Sequence, residues 1–308
     1  MSVVIYTHPA GLEHDTGPGH PERIDRLRAV LDALDHPDFA ALERREAPVA
    51  ERAQLELCHT PTYIDAVHAK APAEGFTRLD PDTVMSPGSL DAALRAAGAA
   101  CAAVDAVLNG DVRRAFCAVR PPGHHAEAGR AMGFCIFSNL AIAARHALNA
   151  HGLARVAVVD FDVHHGNGTQ HLFQDDPALG FFSTHQYPFY PGTGGREETG
   201  VGNIHNEPLP AGAGSAQFRR AYREVLLPAL EAWRPELLLI SAGFDAHARD
   251  PLAEINLEAD DFAWLTGELA ALAERHCGGR IVSALEGGYD LRALAESTGA
   301  HLRALMAA

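Results

Sequence analysis

The chain has 308 residues, 47% of them hydrophobic and 21% charged, which is the composition of a globular protein large enough to bury a substantial core. Its formal net charge of −15 disfavours nucleic acid as a partner, because binding to phosphates requires a basic surface. Its five cysteines are scattered and lack CxxC spacing, which argues against both a disulfide framework and a thiolate zinc site.

The first part of the chain predicts a strand followed by a helix. Residues 1–6 lack the basic segment of a signal peptide, and no apolar run in the chain approaches the ~20 residues that span a bilayer. We therefore expect a cytoplasmic protein with no membrane partner. A helix begins at Pro21, with apolar residues at helical spacing up to Leu34. We expect His20 to cap or pack against this helix and Arg23 to face the interior.

The rest of the chain alternates amphipathic helices with short apolar strands. Helices are predicted from Pro61, over 89–108, 136–150, 165–173, 215–233 and 257–276, and from Leu291. Strands are predicted over 115–119, from Val156, and over 179–183, 236–241 and 280–285. Because such alternation is typical of a parallel sheet covered on both faces, we predict an α/β fold in one domain over residues 1–308.

One stretch, from Val156 to Gly168, combines a strand with reactive residues. It begins as an apolar, β-branched run and continues with acids and histidines at alternate positions. If the backbone stays extended, the side chains of Asp160, Asp162 and His164 leave the same face, where a carboxylate and an imidazole can hold a metal together. The same residues also suit a strand end followed by a polar turn, with an aspartate capping the next helix.

Four predicted strands are followed by reactive residues. The segments are Pro-Pro-Gly-His-His ending at His125, Asp-Phe-Asp-Val-His ending at His164, Gly-Phe-Asp ending at Asp245, and Gly-Gly-Tyr ending at Tyr289. Ligands of open parallel sheets bind beyond the carboxyl ends of the strands, so we expect all four segments at one edge. Each alone also suits a structural role, but their convergence predicts an active site.

The acids and histidines of these segments offer a metal site of N/O type. Asp162, His164 and Asp245 would supply three ligands, which leaves a fourth position open, as in catalytic zinc sites. Zinc is the default ion, although two carboxylates and one imidazole also accept Fe(II) or Co(II).

The remaining polar residues suit acid–base chemistry beside a metal. His124 and His125 are candidates for general base and general acid, and Asp160 and Asn167 can orient them. Tyr289 can donate its hydroxyl to a developing oxyanion. Together these residues predict metal-assisted hydrolysis of an amide or ester carbonyl.

In this order and spacing, the segments resemble the histone deacetylase, acetylpolyamine amidohydrolase and acetoin-utilisation family. The motifs are Arg-Pro-Pro-Gly-His-His, Asp-Phe-Asp-Val-His-His-Gly-Asn-Gly, Gly-Phe-Asp-Ala and Glu-Gly-Gly-Tyr. The resemblance extends from the His-Pro-Glu-Arg of residues 20–23 to Tyr289. It implies an arginase/deacetylase-like fold, a central parallel sheet of about eight strands sandwiched between helices.

The resemblance also implies roles for individual residues. By similarity, the zinc ligands are Asp162, His164 and Asp245, the general base is His125 with His124 as its partner, paired with Asp160, and Tyr289 stabilises the tetrahedral intermediate. Phe134 and Tyr190 match the two aromatic residues that line an acyl-lysine tunnel, and Asp82 matches the acid at its rim. Gly288 matches a residue that contacts the methylene stem of the substrate. Arg23 matches a residue that lines an internal channel. Family members also bind structural potassium, and the matching positions are Asp160, Asp162, His164, Ser183 and Thr184, partly through backbone carbonyls.

Three positions depart from the commoner family pattern. Asn167 stands where many members carry aspartate behind the general base, which resembles the class II branch and its bacterial relatives. Tyr190 replaces the commoner phenylalanine and adds a hydroxyl at the tunnel wall. Leu252 occupies the position where polyamine-selective members can carry a glutamate, and an apolar residue there removes one way to select a cation.

The leading hypothesis is a zinc-dependent amidohydrolase that releases acetate from N-acetyl-lysine in a peptide or protein. The alternative substrate is an acetylpolyamine or another small N-acyl amide. A third hypothesis, a non-catalytic acyl-lysine binder, is disfavoured by the presence of both histidines, the metal ligands and Tyr289.

Overall fold

A computed structural model describes residues 3–307, in which eight strands form one parallel sheet. In order across the sheet they are β2 (Glu43–Glu46), β1 (Val3–Thr7), β5 (Arg114–Cys117), β10 (Ile281–Leu285), β9 (Leu237–Ala242), β6 (Val156–Asp160), β7 (Leu179–Gln186) and β8 (Ile204–Leu209). Two short strands, β3 (Thr77–Arg78) and β4 (Val84–Met85), pair antiparallel outside this sheet.

Helices cover both faces of the sheet. They are α1 (Ile24–Leu34), α2 (Arg52–Leu55), α3 (Pro61–Lys70), α4 (Ser89–Leu108), α5 (Asn139–His151), α6 (Asn167–Phe173), α7 (Ser215–Ala221), α8 (Leu227–Trp233), α9 (Ala259–Cys277) and α10 (Leu291–Ala307). A π-helical turn, Tyr222–Leu226, joins α7 to α8. None of the helices within residues 3–307 is long and apolar enough to cross a membrane.

The core consists of two apolar layers, one on each face of the sheet. Along β1, Val4 and Tyr6 pack into the layer formed with α3, α4 and α5, whereas Val3 and Ile5 pack into the layer formed with α1, α9 and α10. This alternation follows from the two-residue period of a strand. The predicted parallel sheet of about eight strands sandwiched between helices is thereby confirmed.

The two edge strands were not predicted. The sequence of β2 is Glu-Arg-Arg-Glu, which has no apolar alternation because the strand lies at the solvent-exposed edge. The strand at the opposite edge, β8, contains Pro208, which disrupts a strand pattern and is tolerated mainly at edges.

Candidate active site

The four segments with reactive residues follow four adjacent central strands. β5, β10, β9 and β6 are consecutive in the sheet, and the strands are parallel, so their carboxyl ends lie at the same edge. This adjacency brings together His125, Tyr289, Asp245 and Asp162, which are far apart in the sequence. The location agrees with the general rule for ligand sites in parallel sheets.

The predicted metal ligands converge in a buried cluster. The His164 Nδ1 atom lies 3.1 Å from an oxygen of Asp162 and 3.1 Å from an oxygen of Asp245. All three side chains are at least nine-tenths buried, and their ligand atoms lie within 4.8 Å of one another. Burial and the negative charge of Asp162 raise the pKa of Asp245. Two buried carboxylates side by side require a compensating cation, so the donor set fits a divalent metal of the zinc type.

The local backbone reaches this arrangement by a different route from the one expected. β6 ends at Asp160, so the backbone does not stay extended through His164, and the alternative of a strand end followed by a polar turn describes this stretch. Instead the Asp162 N–H donates to the Asp160 carboxylate (3.1 Å) and the His164 N–H donates to the Asp162 carboxylate (2.9 Å). Aspartate side chains form such local turns with the backbone two residues on. The turns direct Asp160 towards His124 and Asp162 towards His164.

Two glycines allow the backbone to approach the ligands closely. A Cβ atom at Gly243 would overlap the carboxylate of Asp162, and one at Gly287 would overlap the carboxylates of Asp245 and Asp162. The Gly287 N–H also donates to Asp162 over 2.8 Å. These glycines are therefore required for the ligand geometry.

The two neighbouring histidines have opposite electrostatic environments. His124 Nδ1 lies 3.0 Å from Asp160, and His125 Nδ1 lies 2.7 Å from the Asn167 side-chain oxygen. Burial alone lowers the pKa of both. For His124, the charges of Asp162 and Asp160 outweigh burial and hold the pKa well above its usual value. For His125, burial is reinforced by positive charge on His124 and His164, so its pKa lies well below the usual value.

The tautomer of His125 follows from its neighbours. The amide nitrogen of Asn167 donates to Glu127 (2.8 Å), so the amide oxygen faces His125. His125 must then donate from Nδ1, which leaves Nε2 as the acceptor. Glu127 was not predicted, because its effect is transmitted through Asn167 and no local sequence pattern marks it.

A pocket of about 220 Å³ leads to these residues. It is lined by Asp82, His125, Gly133, Phe134, His164, Phe189, Tyr190, Leu252 and Tyr289. The pocket thus brings together the predicted tunnel aromatics Phe134 and Tyr190, the rim acid Asp82, and Leu252. Gly288 is not part of this lining; its carbonyl instead accepts a hydrogen bond from Arg26 (2.6 Å).

Phe189 is a pocket residue that was not predicted. Its ring stacks on His164, with centroids 5.6 Å apart and an interplanar angle of 21°. The available signal was its place in the segment Tyr187-Pro188-Phe189-Tyr190, which holds three aromatic residues. This contact holds the imidazole between the aromatic wall and the carboxylates.

Arg23 does not face the interior, and that prediction was wrong. About half of its side chain is exposed, and it pairs with Asp25. The buried arginine of α1 is Arg26, which donates to the backbone carbonyls of Glu286 and Gly288 and lies with its guanidinium 4.9 Å from the centre of the Tyr289 ring. The signal was available, because Arg26 is four residues before the buried Val30 and so lies on the inner face of the helix.

Ser183 and Thr184, the predicted potassium ligands on β7, are buried. The hydroxyl of Ser183 lies 2.9 Å from His185 Nδ1, and that of Thr184 donates to Tyr222 over 3.3 Å. Both hydroxyls therefore have protein partners, and the potassium site, including the contribution of Asp160, stays a prediction.

The sequence signature of the histone deacetylase domain matches residues 20–305. The chain belongs to the histone deacetylase family. Members of this family are hydrolases that in general depend on zinc, so the chain is a deacetylase-type amidohydrolase.

The relatives that the chain resembles include a bacterial protein and a human one. The chain is 42% identical over 278 residues to the histone deacetylase-like amidohydrolase of Pseudomonas aeruginosa, covering 88% of this chain and 73% of that protein. It is 41% identical over 296 residues to human polyamine deacetylase HDAC10, covering 90% of this chain and 43% of that one. The crystal structure of the HDA15 HD domain superimposes with a TM-score of 0.92 at 33% identity, covering 99% of this chain and 91% of that one.

Proposed function

We propose that this chain hydrolyses the acetyl amide of N-acetyl-lysine in peptides or proteins, with Zn²⁺ held by Asp162, His164 and Asp245. The observation that carries the proposal is the shape of the pocket. Phe134, Phe189 and Tyr190 make its wall, and its lining includes His125 and the proposed metal ligand His164. Such a pocket suits a neutral acyl amide on a flexible apolar stem.

A metal in this position supplies Lewis-acid activation of water and of the acyl carbonyl. His125 has a free Nε2 and accepts the proton of the attacking water. Tyr289, which lines the end of the pocket, donates its hydroxyl to the oxygen that gains negative charge. His124 is held beside the reacting group by the hydrogen bond between its Nδ1 and the carboxylate of Asp160. By resemblance, potassium would bind near Asp160, partly through backbone carbonyl oxygens.

A small acetylated amine is the second candidate substrate. It is supported by the human relative, which is named a polyamine deacetylase. Against it stands Leu252, which places an apolar side chain in the pocket lining where a carboxylate would attract a polycation.

Acetate release from an acetyl-lysine peptide and from an acetylated polyamine tests the proposal. Each would be measured with metal-stripped protein and again after zinc is added. We expect zinc to restore turnover of the peptide and to leave the polyamine a poor substrate. Polyamine turnover alone would overturn the substrate assignment, and turnover without any metal would overturn the ligand set.

The role of Tyr289 has a separate test. Substituting Tyr289→Phe removes the donor to the oxyanion, which in other enzymes costs about 10²- to 10³-fold in kcat. We expect KM to change little. An unchanged kcat would show that Tyr289 does not stabilise the transition state.

A further inference from the structure

A second cluster of metal-ligating side chains lies away from the active site, between α4 and α5. Asp105 comes from the last turn of α4, His146 from the body of α5, and His151 from the last position of α5. Both imidazoles point their Nε2 atoms at the same carboxylate oxygen of Asp105, each at 2.7 Å. None of these residues lines the catalytic pocket.

We propose that Asp105, His146 and His151 form a second metal site, which binds one divalent transition ion of the zinc type. Two imidazoles and one carboxylate are borderline ligands that suit zinc, nickel and copper and are poor ligands for calcium or magnesium. Among residues 3–307, the only groups of this kind are this cluster and the catalytic one. The catalytic group has two carboxylates and one imidazole, whereas this cluster has one carboxylate and two imidazoles.

The geometry needs little change to accept an ion. Ligand atoms around a tetrahedral zinc lie about 3.3 Å apart, given zinc–ligand distances of about 2.0–2.1 Å. Each imidazole would therefore move away from the Asp105 oxygen by about 0.6 Å. The Asp105 side chain is 43% exposed, while the two histidines are 14% and 19% exposed, so the acid is free to rotate and the imidazoles are held by packing. Solvent reaches the cluster and can supply the fourth ligand.

The electrostatics of the two helices favour a cation at this place. Asp105 and His151 both lie in the last turn of their helices, where unpaired carbonyls give a partial negative charge. The carboxylate of Asp105 is repelled by the partial negative charge of such a helix end, and a bound cation would reduce this repulsion. Because α4 and α5 each supply ligands, the ion would also join two helices on the same face of the sheet.

Zinc stoichiometry of the full chain tests the proposal. The metal-stripped protein would be titrated with Zn²⁺ at neutral pH, and bound metal counted after gel filtration. We expect two ions for the wild type and one for His151→Gln, whose amide can still donate to Asp105 but is a poor zinc ligand. The matched control is His36→Gln, since His36 faces one carboxylate, Asp38, at 3.4 Å and no second imidazole. It should retain two ions.

A variant that fails to fold would be identified by its melting curve, and Asp105→Asn, which has the same shape, then replaces it. Loss of a ligand should weaken the second zinc at least as much as loss of an outer-shell partner, which costs about 10- to 100-fold. With Cu²⁺ as the probe, electron paramagnetic resonance should show two nitrogen ligands in the wild-type second site and one in His151→Gln. A single zinc in the wild type, or two in His151→Gln, would overturn the proposal.

Added zinc should also raise the melting temperature through this site. An ion that binds the folded state but not the unfolded one stabilises it. In chains whose catalytic ligands are replaced by Asp162→Asn and Asp245→Asn, zinc should still raise the melting temperature. The rise should disappear when His151→Gln is added. An equal rise with and without His151 would show that zinc acts elsewhere.

Discussion

The hydroxyl of Tyr190 donates a hydrogen bond to the carboxylate of Asp82, with the two oxygens 3.3 Å apart. The other Asp82 oxygen already accepts from the Gly133 N–H at 3.0 Å and the Thr83 hydroxyl at 2.9 Å. Burial alone would raise the pKa of Asp82, but hydrogen bonds to its carboxylate outweigh burial and lower it. Asp82 is therefore an ionised acceptor at the rim of the pocket, and Tyr190 occupies the oxygen that Gly133 and Thr83 leave open.

Replacing Tyr190 with phenylalanine should free this oxygen for the substrate. We expect Y190F to lower KM for an acetyl-lysine peptide by about two- to tenfold, the equivalent of one net hydrogen bond, without changing kcat. KM for a small acetylated amine, which has no peptide backbone, should not change. Tyr187→Phe, in the same loop, is the control. An equal effect on both substrates would mean that the hydroxyl acts on the tunnel and not on Asp82.

Introducing a carboxylate at Leu252 should change the preference between substrates. Leu252 lines the pocket beside Tyr289 and Tyr190, so a glutamate there would face an incoming cationic chain. We expect L252E to raise kcat/KM for an acetylated polyamine relative to the peptide by about two- to fivefold, the size of a solvent-screened charge pair. The effect should weaken in high salt. L252Q has the same shape without charge, and an equal shift in that variant would exclude an electrostatic cause.

Elements with strong local signals were predicted well. The helix over Ser89–Leu108 begins and ends where its composition indicated, and the apolar central strands were found. The convergence of four segments at one edge followed from the parallel topology. In contrast, the two edge strands have charged residues or a proline in place of alternation, so no periodic signal identifies them.

Features that depend on side-chain contacts across the chain were not predictable. The route of the backbone after Asp160 is decided by hydrogen bonds from backbone N–H groups to aspartate side chains, not by strand propensity. Glu22 has no apolar pattern of its own, yet it is fully buried because its carboxylate pairs with Arg120, which is distant in the sequence. Glu127 affects His125 indirectly, through the hydrogen bond that it accepts from the amide of Asn167.

Glu127 should act as a positioning residue for the general base. Its carboxylate accepts from the Asn167 amide and so fixes the oxygen of that amide towards His125. In E127A the amide can rotate, and His125 would lose the acceptor that sets its tautomer. We expect kcat to fall about tenfold with little change in KM, as for other outer-shell partners.

Rescue by a conservative variant distinguishes this role from simple loss of packing. In E127Q the side-chain oxygen still accepts from Asn167, so activity should remain near that of the wild type. Asn167→Ala should reproduce the defect of E127A, and the double variant should be no worse than Asn167→Ala alone. Additive losses in the double variant would contradict transmission through Asn167.

Glu22 holds together a fully buried group of charges below the active site. Its carboxylate accepts from Arg26 at 2.8 Å and from Arg120 at 2.6 Å, and it lies 3.5 Å from His14. Burial alone would raise the pKa of Glu22, but the charge of Arg120, hydrogen bonds from His14 and Arg120, and the charge of Arg26 outweigh it and hold the pKa well below 4.5. Breaking such a buried pair leaves uncompensated charge, so E22Q should destabilise the fold by about 3–5 kcal/mol.

The loss of stability in E22Q should depend on pH. A carboxyl with a depressed folded-state pKa contributes stability that is fully present above its unfolded pKa and is lost as pH falls through the folded one. The difference in unfolding free energy between wild type and E22Q should therefore be constant above about pH 4.5 and shrink below it. Urea unfolding at a series of pH values measures this difference, with Glu43→Gln as an exposed control. A difference that stays constant down to pH 3 would show that the carboxylate charge of Glu22 is not the source of the stabilisation.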